Sequence, residues 1–396
     1  MRRIRPVLAL LVLALFASPA FAQDTTITLG RFFGACDVSG VSIANAVGEP
    51  CIIQAIVDAY SEADNGVTVD TLPTDWGNYY DQIKASYAGG IDVDDWAPAA
   101  REAVTFDGRI YGVPMDAHAN LWHVNMELME AAGLVNADGT PILPSSPEEL
   151  LAHAQQVKDA TGADYLAADF AQFPIGVRLV MTLVWQQGAE LFADGVADVD
   201  SAEAVRAVET IVSLFDGRYA DPRLDYADSQ QSFLDGEAAI LVNGTWVVDF
   251  YDAQAADPAV ALTDYYAADF PTLFAEDATW ANNHLWAVPV NTSRDAEAYQ
   301  AALGLLAHIN DQNLAWARTG HLSVRTSVLE SDAYAALPHR DEYVRTAAIA
   351  RDVVPVVRYD AIQDVLNREL QAIWLTGKPI SEALGDADLA VQDLLD

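Results

Sequence analysis

The sequence predicts an α/β fold built as two lobes. Short apolar runs typical of strands alternate with amphipathic helices, an order that favours parallel α/β layers. The chain has 396 residues, of which 52% are hydrophobic, so it exceeds the length that one hydrophobic core usually serves. Two proline-containing segments, residues 110–114 and 286–289, are the places where we expect the chain to cross between the lobes.

The first elements alternate strand and helix. Residues 26–29 (TITL) and 67–72 have the pattern of buried strands. Apolar side chains at helical spacing predict a helix between them: Ile52, Ile53, Ile56, Val57 and Tyr60. A second helix is predicted over residues 78–88, which completes a β-α-β-α order.

Capping residues predict the helices of the middle region. Ser146, followed by Pro147 and Glu149, has the pattern of a capping box and predicts a helix to about residue 160. Asp200 is expected to begin the next helix. Its apolar face would carry Val205, Val208, Val212 and Phe215.

Glycines and a serine delimit the elements that follow. A short helix is expected to end at Gly236, with a strand over residues 238–242 and a turn at 243–244. Near the end of the chain, Ser293 would cap a helix reaching about residue 309, and Gly320 would stop a helix over residues 312–319.

The N-terminus has the pattern of a secretory leader. Residues 1–22 combine three arginines, a short apolar run and an Ala-Phe-Ala end, as in a signal peptide with its cleavage site. No stretch reaches the ~20 apolar residues that a transmembrane helix needs, and no cysteine stands at the cleavage point for a lipid anchor. We therefore expect a mature chain from Gln23 in the periplasm, without insertion into the membrane.

The charge balance excludes two classes of partner. The chain carries 58 acidic and 21 basic residues, a formal net charge of −37 at pH 7. Such a surface repels nucleic-acid phosphates and anionic lipid headgroups. The acidic balance accounts for solubility and does not identify a function.

The two cysteines agree with export. Cys36 and Cys51 are the only cysteines in the sequence. In an oxidising compartment, two cysteines at this spacing most simply form one local disulfide. A metal or redox pair is the alternative, but the spacing is not Cys-x-x-Cys and no histidine cluster adjoins them in the sequence.

No motif indicates catalysis or a cofactor. The sequence has no phosphate loop, dinucleotide-binding turn, serine-hydrolase elbow or zinc-protease helix. A metal site is conceivable from Asp116, His118 and His123, but these histidines lack the helical i,i+4 spacing of paired ligands. We prefer hydrogen bonding to a ligand or a neighbour, and the sequence predicts neither a metal nor another cofactor.

Tryptophans beside polar turns favour a sugar-binding cleft. Nine tryptophans are present, and Trp76, Trp246, Trp280 and Trp286 lie within two residues of a glycine, asparagine or histidine. An indole offers a flat apolar face and one N–H donor. Sugars present the complementary surface, an apolar face with hydroxyls at its edge that need Asp, Asn, His or Arg partners. For any single tryptophan, core packing is the alternative.

Four segments of the chain resemble the extracellular solute-binding proteins of bacterial ABC importers, in the carbohydrate-binding group related to maltose-binding protein. Residues 106–114 (FDGRIYGVP) with 121–125 are similar to the group's first hinge segment and the strand after it. Residues 233–246 (FLDGEAAILVNGTW) match its "F-x-x-G-x-A-A-M…G-x-W" pattern. Residues 286–289 (WAVP) resemble the second hinge strand, and 319–322 (TGHL) a turn.

The resemblance implies two α/β lobes with a sugar between them and closure on binding. Residues 23–115 with about 265–310 would form lobe 1, and residues 116–264 with about 311–396 lobe 2. The chain would act as a monomer that delivers sugar to permease subunits in the inner membrane. The positions that match the group's binding residues are Trp76, Asp116, His118, Trp246, Asn283, His284, Trp286, His321 and Arg325, with Trp246 stacking on the sugar and Asp116 accepting from its hydroxyls.

One departure from the group's pattern follows Gly90. The chain passes directly to IDVDDW, as if about one βα unit were absent, so lobe 1 is expected to be shortened after Gly90. Two other functions stay open. A secreted glycan-acting enzyme such as a glycosidase would share the aromatic and carboxylate cleft, and a binding protein for a polyamine or a peptide would share the fold.

Overall fold

The structure is a computed structural model that describes residues 25–36, 38, 40–63, 65–73, 85–86, 92–106, 108–289, 296–353 and 355–396. Several sequence predictions lie outside the described residues: the leader, Trp76, most of the helix over 78–88, the junction after Gly90 and the Ser293 cap.

The described residues form fourteen strands and fifteen α-helices. The strands are β1 (Thr25–Arg31), β2 (Val67–Pro73), β3 (Ala85–Ser86), β4 (Thr105–Phe106), β5 (Arg109–Ile110), β6 (Val113–Asn125), β7 (Asp164–Ala167), β8 (Phe192–Ala193), β9 (Val196–Ala197), β10 (Ala238–Gly244), β11 (Tyr265–Asp269), β12 (Thr279–Trp286), β13 (Val288–Pro289) and β14 (Ala350–Asp352). The helices are α1 (Glu49–Ser61), α2 (Pro98–Ala103), α3 (Met126–Ala131), α4 (Pro147–Thr161), α5 (Ile175–Trp185), α6 (Ala202–Asp216), α7 (Tyr226–Leu234), α8 (Val248–Ala255), α9 (Ala296–Asp311), α10 (Asn313–Ala317), α11 (Thr326–Leu329), α12 (Asp332–Ala335), α13 (Thr346–Ile349), α14 (Tyr359–Thr376) and α15 (Ile380–Leu395). No described helix is long and apolar enough to cross a membrane.

The first lobe is organised around α1 and the parallel strands β1 and β2. The two strands pair from Thr25 opposite Val67 to Arg31 opposite Pro73. Helix α1 buries Ile52, Ile53, Ile56 and Val57 in a core that also contains side chains of α9 and α10. The predicted strand, helix and strand are therefore confirmed.

The Cys36–Cys51 disulfide is also confirmed. It joins the loop after β1 to the first turn of α1, with the two Cα atoms 4.7 Å apart. The bond ties the segment that carries Phe32 and Phe33 to the start of α1. In the chain-entropy model, closing a loop of this length stabilises the folded state by about 3 kcal/mol.

Strand β6 crosses from one lobe to the other. Its first half contributes Val113 and Met115 to the first core, and its second half contributes Trp122 and Val124 to the second core. The first half pairs with antiparallel β12, and the second half pairs with β10 and β11. The sequence predicted two separate short strands here, whereas β6 runs unbroken for 13 residues because the same extended backbone serves both cores.

The second lobe packs helices on a sheet with the order β14-β12-β6-β10-β7, to which β11 adds by pairing with β6. The Ser146 cap is confirmed, since its hydroxyl accepts from the backbone N–H of Glu149 at 3.2 Å. The predicted Asp200 cap is wrong by one residue, because the Ser201 hydroxyl accepts from the Ala204 N–H at 3.3 Å. The predicted turn at residues 243–244 is instead the end of β10, where both residues pair with β6.

We propose a border between the lobes other than the sequence-based division at about residue 265. Strand β11 pairs with the second-lobe half of β6, and Trp280 packs in the second core. Trp286 packs in the first core. We therefore propose that the second crossing lies within β12, between Trp280 and Trp286. Trp316 also packs in the first core, so the same proposal places it in the first lobe.

Candidate functional site

A cavity of about 270 Å³ lies between the lobes. Its walls come from three parts of the fold. The first lobe provides Phe32, Phe33, Glu49 and Pro50, the crossing strands provide His118 and His284, and the second lobe provides Phe173, Pro174, Ile175, Arg178, Tyr226 and Trp246. Both lobes therefore touch anything held in this cavity.

The strand ends explain why these side chains meet. Phe32 and Phe33 follow the carboxyl end of β1, and Trp246 follows that of β10. Loops at the carboxyl ends of strands are the usual ligand sites of open α/β sheets. Glu49 and Arg178 add ionisable side chains from the first turns of α1 and α5, respectively.

Trp246 is one of the aromatic residues that the second lobe contributes to the cavity wall. Its indole N–H donates to the Tyr226 hydroxyl at 2.9 Å. The rings of Trp246 and His118 are arranged edge to face, with their centroids 5.6 Å apart. A Cβ at Gly244 would lie 1.9 Å from the indole, so only glycine at that position leaves room for the observed ring position. Trp246 lines the cavity, and its stacking on a sugar stays a prediction.

Asp116 lies beneath the cavity and has no exposed surface. Its carboxylate accepts from His118 Nδ1 at 3.0 Å, from His284 Nδ1 at 2.9 Å and from Trp316 Nε1 at 2.7 Å. Burial alone would raise the pKa of Asp116, but the neighbouring His284 and the other histidines hold it well below its ordinary value. Asp116 is thus a buried anion that fixes two imidazoles.

This position changes the role expected for Asp116. The sequence-based expectation was direct acceptance from sugar hydroxyls, but its oxygens are already used by two histidines and a tryptophan. His118 and His284 reach the cavity in its place, and their rings stack at 4.1 Å. Burial and the neighbouring His284 lower the pKa of His118 to about 3, so the His118 imidazole is neutral at pH 7.

His321 lies at the same depth as Asp116. It is fully buried, its ring stacks on Trp316 at 5.1 Å, and its Nδ1 lies 2.6 Å from the Thr319 hydroxyl. Its Nε2 lies 3.6 Å from an Asp116 oxygen and 3.5 Å from Glu49 Oε1. His321 therefore belongs to the floor beneath the cavity.

Three other predicted residues do not line the cavity. Asn283 Nδ2 lies 3.4 Å from Asp352, and Trp286 is a buried member of the first core. Arg325 pairs with Asp95 at 2.6 Å and with Asp311 at 2.8 Å. The three residues thus make contacts within the protein outside the cavity. Trp76 lies outside the described residues.

Sequence reasoning missed Glu49, Arg178, Tyr226 and the phenylalanine pair. Arg178 had a visible signal, because it is the only charged residue of the apolar helix IGVRLVMTLVW. Its guanidinium lies 3.9 Å from the Trp280 ring centroid. Burial, with Asp116 and Asp249 nearby, raises the pKa of Glu49 well above its ordinary value, a feature that local sequence does not disclose.

The lobes touch beside the cavity. The Gly48 N–H of the first lobe donates to Asp249 Oδ2 of the second at 2.7 Å. Burial raises the pKa of Asp249 to about 7. The first lobe also receives Arg318, whose guanidinium donates to the Ile43 and Ala46 carbonyls at 2.6 and 2.8 Å.

Four residues are arranged as a possible set of metal ligands. One ligand atom from each of Asp116, His118, His284 and His321 lies within 4.8 Å of all the others. His123, which the sequence had grouped with Asp116, is elsewhere, with its ring nitrogens 2.8 Å from the Tyr265 hydroxyl and 3.2 Å from the Gly244 carbonyl.

Comparison with known proteins identifies one family and a shared fold. Residues 40–342 match the family of bacterial extracellular solute-binding proteins. The chain is 26% identical over 233 residues to the lactose-binding protein of Rhizobium radiobacter. The aligned region covers 55% of this chain and 52% of that protein. The chain thus spans about half the length of that relative.

Two solved structures have a similar fold. The GacH receptor of Streptomyces glaucescens, solved unliganded and with acarbose, superposes with a TM-score of 0.77 at 18% identity, covering 94% of this chain and 98% of that one. Maltose-bound MalE3 of T. maritima superposes with a TM-score of 0.75 at 18% identity, covering 93% and 99%. The two-lobed fold predicted from the sequence is confirmed.

Proposed function

The chain belongs to the bacterial extracellular solute-binding proteins, and we propose that it binds a small carbohydrate between its lobes and delivers it to an ABC importer. The observation that carries this proposal is the interlobe cavity, whose aromatic and polar walls come from both lobes. The lactose-binding relative and the acarbose- and maltose-bound neighbours support a sugar as the ligand class.

The cavity walls match the two kinds of surface on a sugar. Trp246, Phe32 and Phe33 provide flat apolar faces for the C–H side of a pyranose ring. Glu49, Arg178 and the two histidines provide donors and acceptors for hydroxyls. At about 270 Å³, the cavity lies at the small end of ligand pockets, which favours a mono- or disaccharide.

Binding is proposed to stabilise the closed arrangement of the lobes. A ligand that touches both lobes interacts more strongly with the closed form, and this difference in affinity shifts the equilibrium. The contact between Gly48 and Asp249 lies beside the cavity and would form in the same step. No bond is made or broken in this mechanism.

Delivery requires a membrane partner and an export route. We propose that permease subunits in the inner membrane recognise the closed protein, and that the secretory leader over residues 1–22 directs the chain to the periplasm. The acidic balance of the sequence accords with a protein that works in water and binds neither nucleic acid nor an anionic membrane.

A thermal melt with a ligand panel tests the proposal. The mature chain is melted alone and with mono- and disaccharides, maltooligosaccharides, spermidine and a short peptide. Ligand at 100 times its dissociation constant adds about 2.7 kcal/mol to the folded state, a shift of several degrees. A shift with one sugar class supports the proposal. A shift with spermidine or peptide alone, or turnover of a chromogenic glycoside, would replace it with one of the other two functions.

A further inference from the structure

Three separate segments bring four metal-ligating side chains to the floor of the cavity. Asp116 and His118 are two residues apart on β6, so their side chains lie on the same face of the strand. His284 comes from β12, where it pairs directly opposite Asp116. His321 comes from the loop after α10, which is attached to β6 by a backbone bridge between Leu322 and Ala117.

The His321 side chain is held firmly in this position. Its ring stacks on Trp316, and its Nδ1 lies at hydrogen-bond distance from the Thr319 hydroxyl. Gly320 has a φ of +112°, and a Cβ there would lie 2.1 Å from the Thr245 carbonyl oxygen. The loop that presents His321 is therefore fitted closely against the second lobe.

The other ring nitrogen of His321 is a buried polar atom whose hydrogen-bonding capacity is not satisfied. His321 Nε2 is buried and has no hydrogen-bond partner among the described residues, although it faces an Asp116 oxygen at 3.6 Å and Glu49 at 3.5 Å. Buried polar atoms without a partner are rare in native proteins and need an explanation. A cation between this nitrogen and the carboxylate would supply one.

We propose that Asp116, His118, His284 and His321 bind one divalent transition-metal ion of the zinc class beneath the cavity. Three imidazoles with one carboxylate form a donor set suited to zinc and its first-row neighbours. Asp116 Oδ2 lies 2.9 Å from His284 Nδ1 and 3.6 Å from His321 Nε2, and Asp116 Oδ1 lies 3.0 Å from His118 Nδ1. The two distances from Oδ2 lie on either side of the roughly 3.3 Å that separates two ligands of a tetrahedral ion with bonds of about 2.0–2.1 Å.

The ion would link the segments of the crossing region. It would join β6, β12 and the loop of His321, the three segments that meet under the cavity. Binding of the ion at Nδ1 of His118 and His284 would displace the hydrogens that these nitrogens donate to Asp116, so each neutral ring would carry its hydrogen on Nε2. Both rings also line the cavity, and this second nitrogen is kept for a hydrogen bond. The ion therefore supports the cavity floor without replacing the contacts proposed for a sugar.

A metal titration without sugar tests the site independently of the proposed function. The mature chain is produced without a polyhistidine tag, stripped with a chelator and titrated with Zn²⁺ against a chromophoric chelator. We expect one equivalent to bind. His284→Gln and His321→Gln should each weaken zinc binding at least about 100-fold, because loss of a direct ligand exceeds the 10–100-fold cost of losing an outer partner. His308→Gln is the matched control, since His308 contacts the Ile56 carbonyl in the first lobe.

Cobalt substitution gives a readout that needs no variant. Co²⁺ bound by three imidazoles and a carboxylate in a tetrahedral site gives intense visible absorption bands, and zinc should displace it. Absence of one-equivalent zinc binding, a Co²⁺ spectrum like that of the hydrated ion, or equal affinity of folded His321→Gln and wild type would each overturn the metal site. Sugar binding by the chelator-stripped chain would leave the proposed function standing.

Discussion

His284 on β12 donates through Nδ1 to Asp116 on β6 at 2.9 Å, at the place where the two crossing strands pair. The same carboxylate holds His118 at 3.0 Å. One buried anion thus fixes two imidazoles that both reach the cavity. The strands that connect the lobes therefore also form the floor of the cavity.

Asp116→Asn is expected to lower stability as well as binding. An asparagine amide has one acceptor oxygen and no charge, so it cannot serve His118, His284 and Trp316 together. We predict a loss of about 2–4 kcal/mol in the free energy of unfolding, measured by denaturant titration of the chelator-treated protein. Wild-type stability in this variant would mean that the carboxylate does not organise the floor.

Arg178→Met is expected to weaken sugar binding at least about ten-fold with a small loss of stability. The methionine suits the apolar helix α5 but removes the charged donors that arginine presents at the cavity wall. Loss of the contact with Trp280 should cost no more than about 1–2 kcal/mol. Isothermal titration calorimetry measures the affinity. Arg206→Met, on the surface of α6, is the control and should bind sugar as wild type does.

Gly244→Ala is expected to damage the cavity through Trp246. The added methyl group would meet the indole at 1.9 Å, so the ring must leave its observed position. We predict at least about ten-fold weaker sugar binding and a stability loss of about 1–3 kcal/mol. Gly385→Ala in α15 has open space around the new Cβ and should raise stability by about 1 kcal/mol. If Gly244→Ala binds sugar with unchanged affinity, sugar binding does not depend on the observed position of the Trp246 ring.

Asp249→Asn is expected to change how stability depends on pH. Burial raises the pKa of Asp249 from 3.8 to about 7, so the folded protein binds this proton more tightly than the unfolded chain. The resulting stabilisation is complete below the unfolded pKa and is lost as the pH rises to about 7. Asparagine still accepts from the Gly48 N–H but does not titrate.

The variant should therefore gain stability relative to wild type by about 1–3 kcal/mol between pH 4 and pH 8. Denaturant unfolding at several pH values measures this difference. Asp216→Asn, at the exposed end of α6, serves as the control and should show little change. A constant difference between Asp249→Asn and wild type across this range would refute the raised pKa.

Local sequence was sufficient for the elements whose burial follows one face. The pairing of β1 with β2, the buried face of α1 and the Ser146 cap depend on neighbouring residues, and the sequence predicted them. The unbroken β6 was missed because its two halves face different cores. The Asp200 cap was missed by one residue because Ser201 also has a capping oxygen.

The candidate site was less predictable because it depends on strand register. The sequence indicated Trp246, His118 and His284. Asp116 is buried under them because β6 pairs with β12, and this pairing joins residues far apart in the chain: Asp116 and His284 are 168 residues apart. Glu49 and Arg178 belong to opposite lobes and line the same cavity only in the folded chain. Arg325 and Trp286 were predicted at the site, but Arg325 pairs with Asp95 and Asp311 and Trp286 packs in the first core.

Calorimetric titration of wild type and Trp246 variants with the sugar that gives the largest thermal shift tests the central claim most directly. The account predicts one binding site per chain, at least about ten-fold weaker binding by Trp246→Ala, and a smaller loss in Trp246→Phe because a flat ring remains. Absence of sugar binding by the folded wild-type chain, or equal affinity of Trp246→Ala and wild type, would contradict it.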